Sequence, residues 1–163
     1  MKNVLIPTDF TIESLQLVNR TAEALQQEKF NVVLFHSFNL PDSLMDLMFL
    51  GREKIYTGLI SDEFRNQCKK LKHLYADNIN SIYFKYMYGN TARVFKNFAD
   101  ANDIELIVST EEMQFQMPHR YSIHPEVFFK KSGIRILTAA EMQKGKVSLV
   151  ERKPASAFSL TQM

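Results

Sequence analysis

The sequence predicts an α/β fold in which a five-stranded parallel sheet is covered by helices on both faces. Short, nearly continuous apolar runs, such as residues 4–6 and "NVVLFHSF" (31–38), indicate strands that are buried on both faces. They alternate with segments in which apolar residues recur every three or four positions, as in amphipathic helices. This alternation requires right-handed crossovers, and such sheets bind ligands at the carboxyl ends of their strands.

Length and composition narrow the class of protein. The chain has 163 residues, which suits one domain, and a formal net charge of +2, which is too small a bias to indicate nucleic acid or a membrane surface as partner. Cys68 is the only cysteine, so we expect no intrachain disulfide and a buried or idle thiol. The apolar run at 4–6 is too short for a secretory signal, and no stretch of about 18 apolar residues occurs. We therefore expect a cytoplasmic protein.

The first half of the chain predicts two strands and two helices. After the first strand, Thr11 is expected to cap a helix whose apolar stripe faces the sheet. The second strand is followed by an unclear region and then by a convincing helix over 60–78, capped by Ser61 or Asp62. In the unclear region, "SLMDLMFLG" (43–51) is either a partner-binding surface or a segment packed on the sheet or a dimer.

The second half continues the alternation. The third strand is expected at 79–89 and the fourth at 104–110, with a helix between them. A further helix is expected over 124–133, with Pro125 in its first turn, and the fifth strand over 134–139.

The composition changes near the end of the chain, which predicts a domain over 1–140 and a C-terminal extension over 141–163. Residues 147–150 are a possible extra strand. From Pro154 onward the sequence predicts a flexible tail.

The order and spacing of these segments resemble the universal stress protein (UspA-like) family over roughly residues 2–140. Four segments carry the resemblance: "VLIPTDFT", "VVLFHSF" with its histidine at 36, "IELIVST" and "EVFFKKSGIRILTA". They are similar to that family's first, second and fourth strands and to its last helix and strand. The resemblance implies a three-layer, adenine nucleotide alpha hydrolase-like sandwich with strand order 3-2-1-4-5. It also implies a homodimer through the fifth strand, by Ile134, Ile136 and Thr138.

One branch of that family binds ATP through the signature G-x2-G-x9-G-[ST], whose glycines let the backbone approach phosphates. The matching positions here hold Thr110, Met113, Ser122 and Ile123. Glu111 and Glu112 add carboxylates beside the expected phosphate path, and like charges about 4 Å apart cost on the order of 4 kcal/mol at an effective dielectric near 20. The sequence therefore predicts that ATP is not bound.

The resemblance also implies a vestigial nucleotide crevice. Its predicted members are Pro7, Asp9, Ser37, Ser109, Thr110 and Ser122. Pro7, Asp9 and Ser37 match the adenine and ribose end of the family's pocket. Asp9 has a second interpretation as a cap or turn residue before the first helix.

Metal binding and catalysis have less support. Two acidic residues and several histidines suit Zn²⁺ or Mn²⁺ by type, but their spacing fits no compact ligand motif. They are Glu111, Glu112, His119, His124 and His36. No nucleophile elbow, phosphate-binding P-loop or Ser-His-Asp arrangement is recognisable, so we expect neither an enzyme nor a resident cofactor.

Three functions follow as hypotheses. The first is a non-catalytic regulatory or interaction module with a protein partner, whose crevice is filled by side chains such as Met113. The second is an adenine-nucleotide-binding protein with an altered phosphate loop, preferring AMP or a similar ligand, with an open slot near Asp9 and Ser37. The third is a metal-dependent hydrolase, which requires at least three ligands that converge on one point near Asp9 and residues 111–124.

Overall fold

The computed structural model describes residues 1–40, 58–145 and 147. The strands are β1 (Lys2–Pro7), β2 (Phe30–Phe38), β3 (Ile79–Tyr88), β4 (Ile104–Val108), β5 (Ser122–Ile123) and β6 (Ile136–Leu137). The helices are α1 (Gln16–Ala24), which follows a 3₁₀ turn at Glu13–Leu15, and α2 (Asp62–Leu74), α3 (Ala92–Ala101), α4 (Glu126–Phe129) and α5 (Ala139–Lys144).

The main sheet confirms the predicted fold class and strand order. Its parallel strands run in the order β3-β2-β1-β4-β6, so β6 takes the place of the predicted fifth strand. β5 is an addition, since it pairs antiparallel with the end of β2, Ser37 opposite Ile123 and Phe38 opposite Ser122. This short strand closes over the carboxyl end of the sheet, where the ligand crevice was expected.

Both faces of the central strands β1 and β2 are buried, as the continuous apolar runs predict. Within β1, Val4 and Ile6 belong to one core cluster and Leu5 to the other. The first cluster joins the sheet to α1 and α2, and the second joins it to α3 and α4. Successive side chains of a strand point to opposite faces, so a strand between two helix layers must be apolar at every position.

Side-chain caps fix where the helices begin. The Ser61 hydroxyl accepts the Phe64 N–H at 3.1 Å, and the Thr91 hydroxyl accepts the Val94 N–H at 3.2 Å. The Thr11 hydroxyl accepts the Ser14 N–H at 3.1 Å, ahead of a 3₁₀ turn rather than a regular first turn of helix. Each cap satisfies a donor that has no partner within its helix.

The fifth parallel strand is shorter than predicted, because a helix starts inside the segment expected to be extended. The Thr138 hydroxyl accepts the Glu141 N–H, and the Glu141 carboxylate accepts the Thr138 N–H, each at 3.2 Å. This capping box starts α5 at Ala139 and leaves only Ile136–Leu137 as β6. The helix expected over 124–133 is likewise reduced to Glu126–Phe129.

The helix α5 packs against α1. Met142 is buried, and its sulfur lies 3.9 Å from the Thr21 hydroxyl oxygen of α1. The Val147 N–H then donates to the Ala24 carbonyl at the end of α1, at 2.8 Å. The helix α5 and Val147 are thus tied to the first helix layer.

Three predictions fall on the remaining segments. The interpretation of 43–51 and the tail from Pro154 lie outside the described residues, and so does the strand predicted at 147–150 except for Val147. In the part of the chain that is described, no helix is long and apolar enough to cross a membrane.

Cys68 is buried on the inner face of α2, and burial raises the pKa of its thiol to about 11. Because the thiolate is the reactive form, we expect the native protein to react with Ellman's reagent at pH 8 at least about 100-fold more slowly than the unfolded protein. The same reaction in urea gives the control rate. Equal rates in the two states would contradict the buried position.

Candidate functional site

The expected crevice lies where the strand order reverses, at the carboxyl ends of β1 and β4. Two loops meet there, residues 8–12 after β1 and residues 109–121 after β4. The end of β2, paired with β5, forms the third side. Pro7 is the last residue of β1 and is buried opposite Phe35 of β2.

Asp9 joins the two loops. Its side chain is 2% exposed, and both carboxylate oxygens accept hydrogen bonds from the protein. Oδ1 accepts the Thr11 N–H at 3.1 Å and the Thr11 hydroxyl at 2.5 Å, while Oδ2 accepts the Gln116 N–H at 2.8 Å. The next residue, Phe10, has φ 64°, and its N–H donates to the Thr8 hydroxyl. Asp9 therefore has the turn geometry of its second interpretation and also a contact across the crevice.

His36 lies beneath Asp9's turn, in a fixed tautomer. Its Nδ1 is 2.8 Å from the Thr8 carbonyl oxygen, which can only accept, so Nδ1 carries the proton. Nε2 then accepts the Ser122 hydroxyl at 2.8 Å, and the Ser122 oxygen accepts the His119 N–H at 3.2 Å. Burial lowers the pKa of His36 to about 4, despite the opposing influences of the Thr8 hydrogen bond and of Asp9. The imidazole is accordingly neutral at pH 7.

Aromatic rings enclose His36. The ring centroids of Phe38 and Phe10 lie 4.7 and 4.9 Å from that of His36. Phe115, from the loop after β4, stacks on the imidazole with a centroid distance of 6.0 Å and an interplanar angle of 14°. This loop thus inserts an aromatic side chain into the crevice.

Ser37 and Met113 both contact the protein's own groups. Ser37 is buried, and its hydroxyl donates to the Gly89 carbonyl at 3.4 Å. Met113 is half-buried and packs against the core cluster of α1 and α2. Met113 and Phe115, both from the loop after β4, thus occupy the side of the crevice that carries His36.

Glu126 occupies the other end of the crevice. Its carboxylate accepts the Ser109 hydroxyl at 3.2 Å, the Thr110 N–H at 3.2 Å and the Thr110 hydroxyl at 3.1 Å. The Ser109 oxygen in turn accepts the Glu111 N–H at 3.2 Å. The donors that were predicted to face a phosphate therefore already bind an anion, which the protein supplies itself.

The structure divides the predicted site residues into two groups. Asp9 and Ser122 adjoin His36, whereas Ser109 and Thr110 bind Glu126. Ser37 belongs to neither group, since its hydroxyl bonds the Gly89 carbonyl. Sequence reasoning missed Glu126, Phe115 and Gln116. Only Glu126 could have been suspected from the sequence, because an acidic residue in the first turn of a helix often accepts hydrogen bonds from backbone N–H or hydroxyl groups.

The hydroxyl of Ser122, the imidazole of His36 and the Thr8 carbonyl are ordered like a nucleophile, a base and an orienting group. Ser122 is only 6% exposed, however, and its oxygen already accepts the His119 N–H. Among residues 1–40 and 58–145, no three His, Cys, Asp or Glu side chains converge to hold a metal ion. The hydrolase hypothesis required such a convergence near Asp9.

A cavity of about 320 Å³ lies beside the crevice, between the start of α1 and the loop after β4. Its lining contains two carboxylates, one guanidinium and three amides. These groups belong to Glu13, Glu112, Arg20, Gln16, Gln114 and Gln116. With more negative than positive charge on its wall, this cavity suits a neutral or cationic molecule better than a polyphosphate.

No protein-family model and no curated protein matches the sequence. Solved structures do match. One is a hypothetical protein named PH0823, 18% identical, with a TM-score of 0.54 over 84% of this chain and 94% of that one. Another is the universal stress protein UspA from Lactobacillus plantarum, 15% identical, with a TM-score of 0.51 over 84% and 96%. A universal stress protein family protein from Arabidopsis thaliana, solved with AMP bound, is 12% identical over 85% and 90%, with a TM-score of 0.43. At these identities the first two likenesses establish the architecture, and the chain has the universal stress protein fold.

Proposed function

We propose that this chain is a divergent universal stress protein, a non-catalytic regulatory or interaction module that does not bind ATP. The proposal includes a role in the stress response, a cytoplasmic location, a protein partner and a homodimer. The fifth strand, with Ile134, Ile136 and Thr138, is the dimer interface predicted from the resemblance.

The observation that carries the proposal is the self-supplied anion. The Glu126 carboxylate uses the Thr110 N–H and the hydroxyls of Ser109 and Thr110. A phosphate brought to the same donors would meet this carboxylate, and like charges about 4 Å apart repel by on the order of 4 kcal/mol at an effective dielectric near 20. Binding ATP would also break the bond from the Gln116 N–H to Asp9 if the loop had to move.

A second candidate is an adenine ligand with fewer phosphates, such as AMP. The cavity of about 320 Å³ beside the crevice has the volume of a small-molecule site, although its two carboxylates against one guanidinium suit the nucleoside better than the phosphate. This candidate requires Phe115 to leave His36, so that a base can stack in its place.

A thermal-shift titration with ATP, ADP, AMP and adenosine, each with and without Mg²⁺, tests the proposal. We expect no shift from ATP, whereas a ligand at about 100 times its Kd would add about 2.7 kcal/mol, or roughly 5–11 °C in Tm. A clear shift with ATP and Mg²⁺ would contradict the proposal. A shift with AMP or adenosine alone would favour the second candidate.

Variants of two neighbouring carboxylates sharpen the titration. The E126Q substitution removes the negative charge that accepts hydrogen bonds from Ser109 and Thr110. Inorganic phosphate should therefore raise the Tm of E126Q more than the Tm of the parent. Glu111 is exposed in the same loop, and E111Q is the matched control, expected to respond as the parent does. An equal response of E126Q and E111Q would count against charge exclusion at this site.

A further inference from the structure

The cavity between the start of α1 and the loop after β4 is lined by charged side chains that the protein itself does not pair. Glu13, Arg20 and Glu112 are exposed, and none of them forms a hydrogen bond or an ion pair with the residues that the structure describes. Their charges are therefore available to a molecule that enters the cavity.

One wall of this cavity carries opposite charges at its two ends. Glu13, Gln16, Leu17 and Arg20 follow one another at steps of one, three or four residues, so they share one face of the 3₁₀ turn and of α1. The seven-residue step from Glu13 to Arg20 corresponds to about 10 Å along a helix axis. A ligand that lies along this wall meets a carboxylate and a guanidinium at separate points.

The loop after β4 supplies the opposite wall. Gln114 and Gln116 flank the crevice residue Phe115, and both line the cavity together with Glu112. The Gln116 N–H is bonded to Asp9 at 2.8 Å, which holds this part of the loop beside the turn before α1. The amides can donate and accept hydrogen bonds, whereas Glu112 adds a second carboxylate.

Apolar side chains complete the lining. Leu17 is 5% exposed, and Met113 is half-buried against the first core cluster. Apolar surface combined with a few polar and charged groups is typical of small-molecule sites.

We propose that this cavity binds a basic α-amino acid, such as free arginine or lysine. The two cationic groups of the ligand bind Glu13 and Glu112, its carboxylate binds Arg20, and its methylene groups lie on Leu17 and Met113. The net positive charge of the ligand offsets the net negative charge of the lining. A bound molecule would bridge α1 and the loop after β4.

Other classes of small molecule satisfy this lining less well. A polyamine offers no anion to Arg20, and a neutral amino acid leaves one of the two carboxylates without a partner. A polyphosphate brings like charges to both carboxylates. The inference goes beyond the proposed function, and it holds whether or not a nucleotide binds next to His36, because the cavity exists with Phe115 in place.

Isothermal titration calorimetry with four ligands tests the proposal on the full chain. L-arginine and L-lysine should bind, whereas agmatine, which lacks the carboxylate, and citrulline, which lacks the side-chain charge, should bind at least about tenfold more weakly than L-arginine. The proposal is overturned if neither basic amino acid binds at concentrations up to about 5 mM, or if agmatine or citrulline binds as tightly as L-arginine.

Variants locate the binding. E13Q and E112Q should each weaken L-arginine binding at least about fivefold, and R20M should abolish the preference for L-arginine over agmatine. The matched controls are E111Q and R93M, which remove exposed charges outside the cavity lining and should bind as the parent does. Circular dichroism checks that every variant is folded. Equal losses in E111Q and E112Q would show general charge attraction and overturn the proposal, as would an unchanged preference in R20M.

Discussion

Replacing Asp9 with alanine is expected to lower the free energy of unfolding by about 3 kcal/mol, or roughly 6–12 °C in Tm. The substitution removes an acceptor that the Thr11 N–H, the Thr11 hydroxyl and the Gln116 N–H share. Asp9 is 2% exposed, so water does not easily replace the lost carboxylate. The effect is large because two loops lose their common anchor.

Urea denaturation of the parent, D9A and D9N measures this effect. D9N keeps one carbonyl oxygen and should retain part of the lost stability. The control is E111A, since Glu111 is exposed on the same loop and its removal should change stability by less than about 0.5 kcal/mol. If D9A is as stable as E111A, the carboxylate does not hold the loops together, and a ligand-binding role for Asp9 becomes the better explanation.

Acid is expected to destabilise the protein through His36. Burial lowers the pKa of this group to about 4 in the folded state, against about 6.5 when unfolded. Between these values the unfolded chain binds the extra proton, so stability is full above pH 6.5 and falls as the pH drops towards 4. The shift corresponds to a loss of about 3 kcal/mol across this window.

Free energies of unfolding measured in urea from pH 4 to pH 8 give the profile. Carboxylates also titrate in this range, so the informative quantity is the difference between the parent and H36N, whose amide does not titrate. This difference should grow in favour of the variant by about 3 kcal/mol as the pH falls from 6.5 to 4. H73N is the matched control, because His73 is exposed on α2. Parallel curves for the parent and H36N would contradict the buried, neutral imidazole.

Much of the fold could be predicted because its signals are local. Apolar runs mark the strands of a two-sided sheet, and the caps at Ser61 and Thr11 follow from short hydroxyl side chains before amphipathic segments. The strand order came from the resemblance, since spacing alone does not determine which strands are neighbours.

The interior of the crevice could not be predicted, because its contacts join distant parts of the chain. Glu126 reaches Ser109 and Thr110 across an irregular loop, and Ser122 meets His36 from a strand of two residues that has no apolar pattern of its own. The capping box at Thr138 starts a helix within the segment 134–139, which was predicted to be a strand because its β-branched residues favour extended chain.

The early end of β6 also bears on how large an assembly this sheet can build. A sheet with two long free edges can add subunits at both sides and grow into a filament. Here the turn into α5 leaves only two residues in the strand at one edge, so a second chain could form only a short backbone pairing there. The short edge therefore limits growth of the sheet from subunit to subunit on this side.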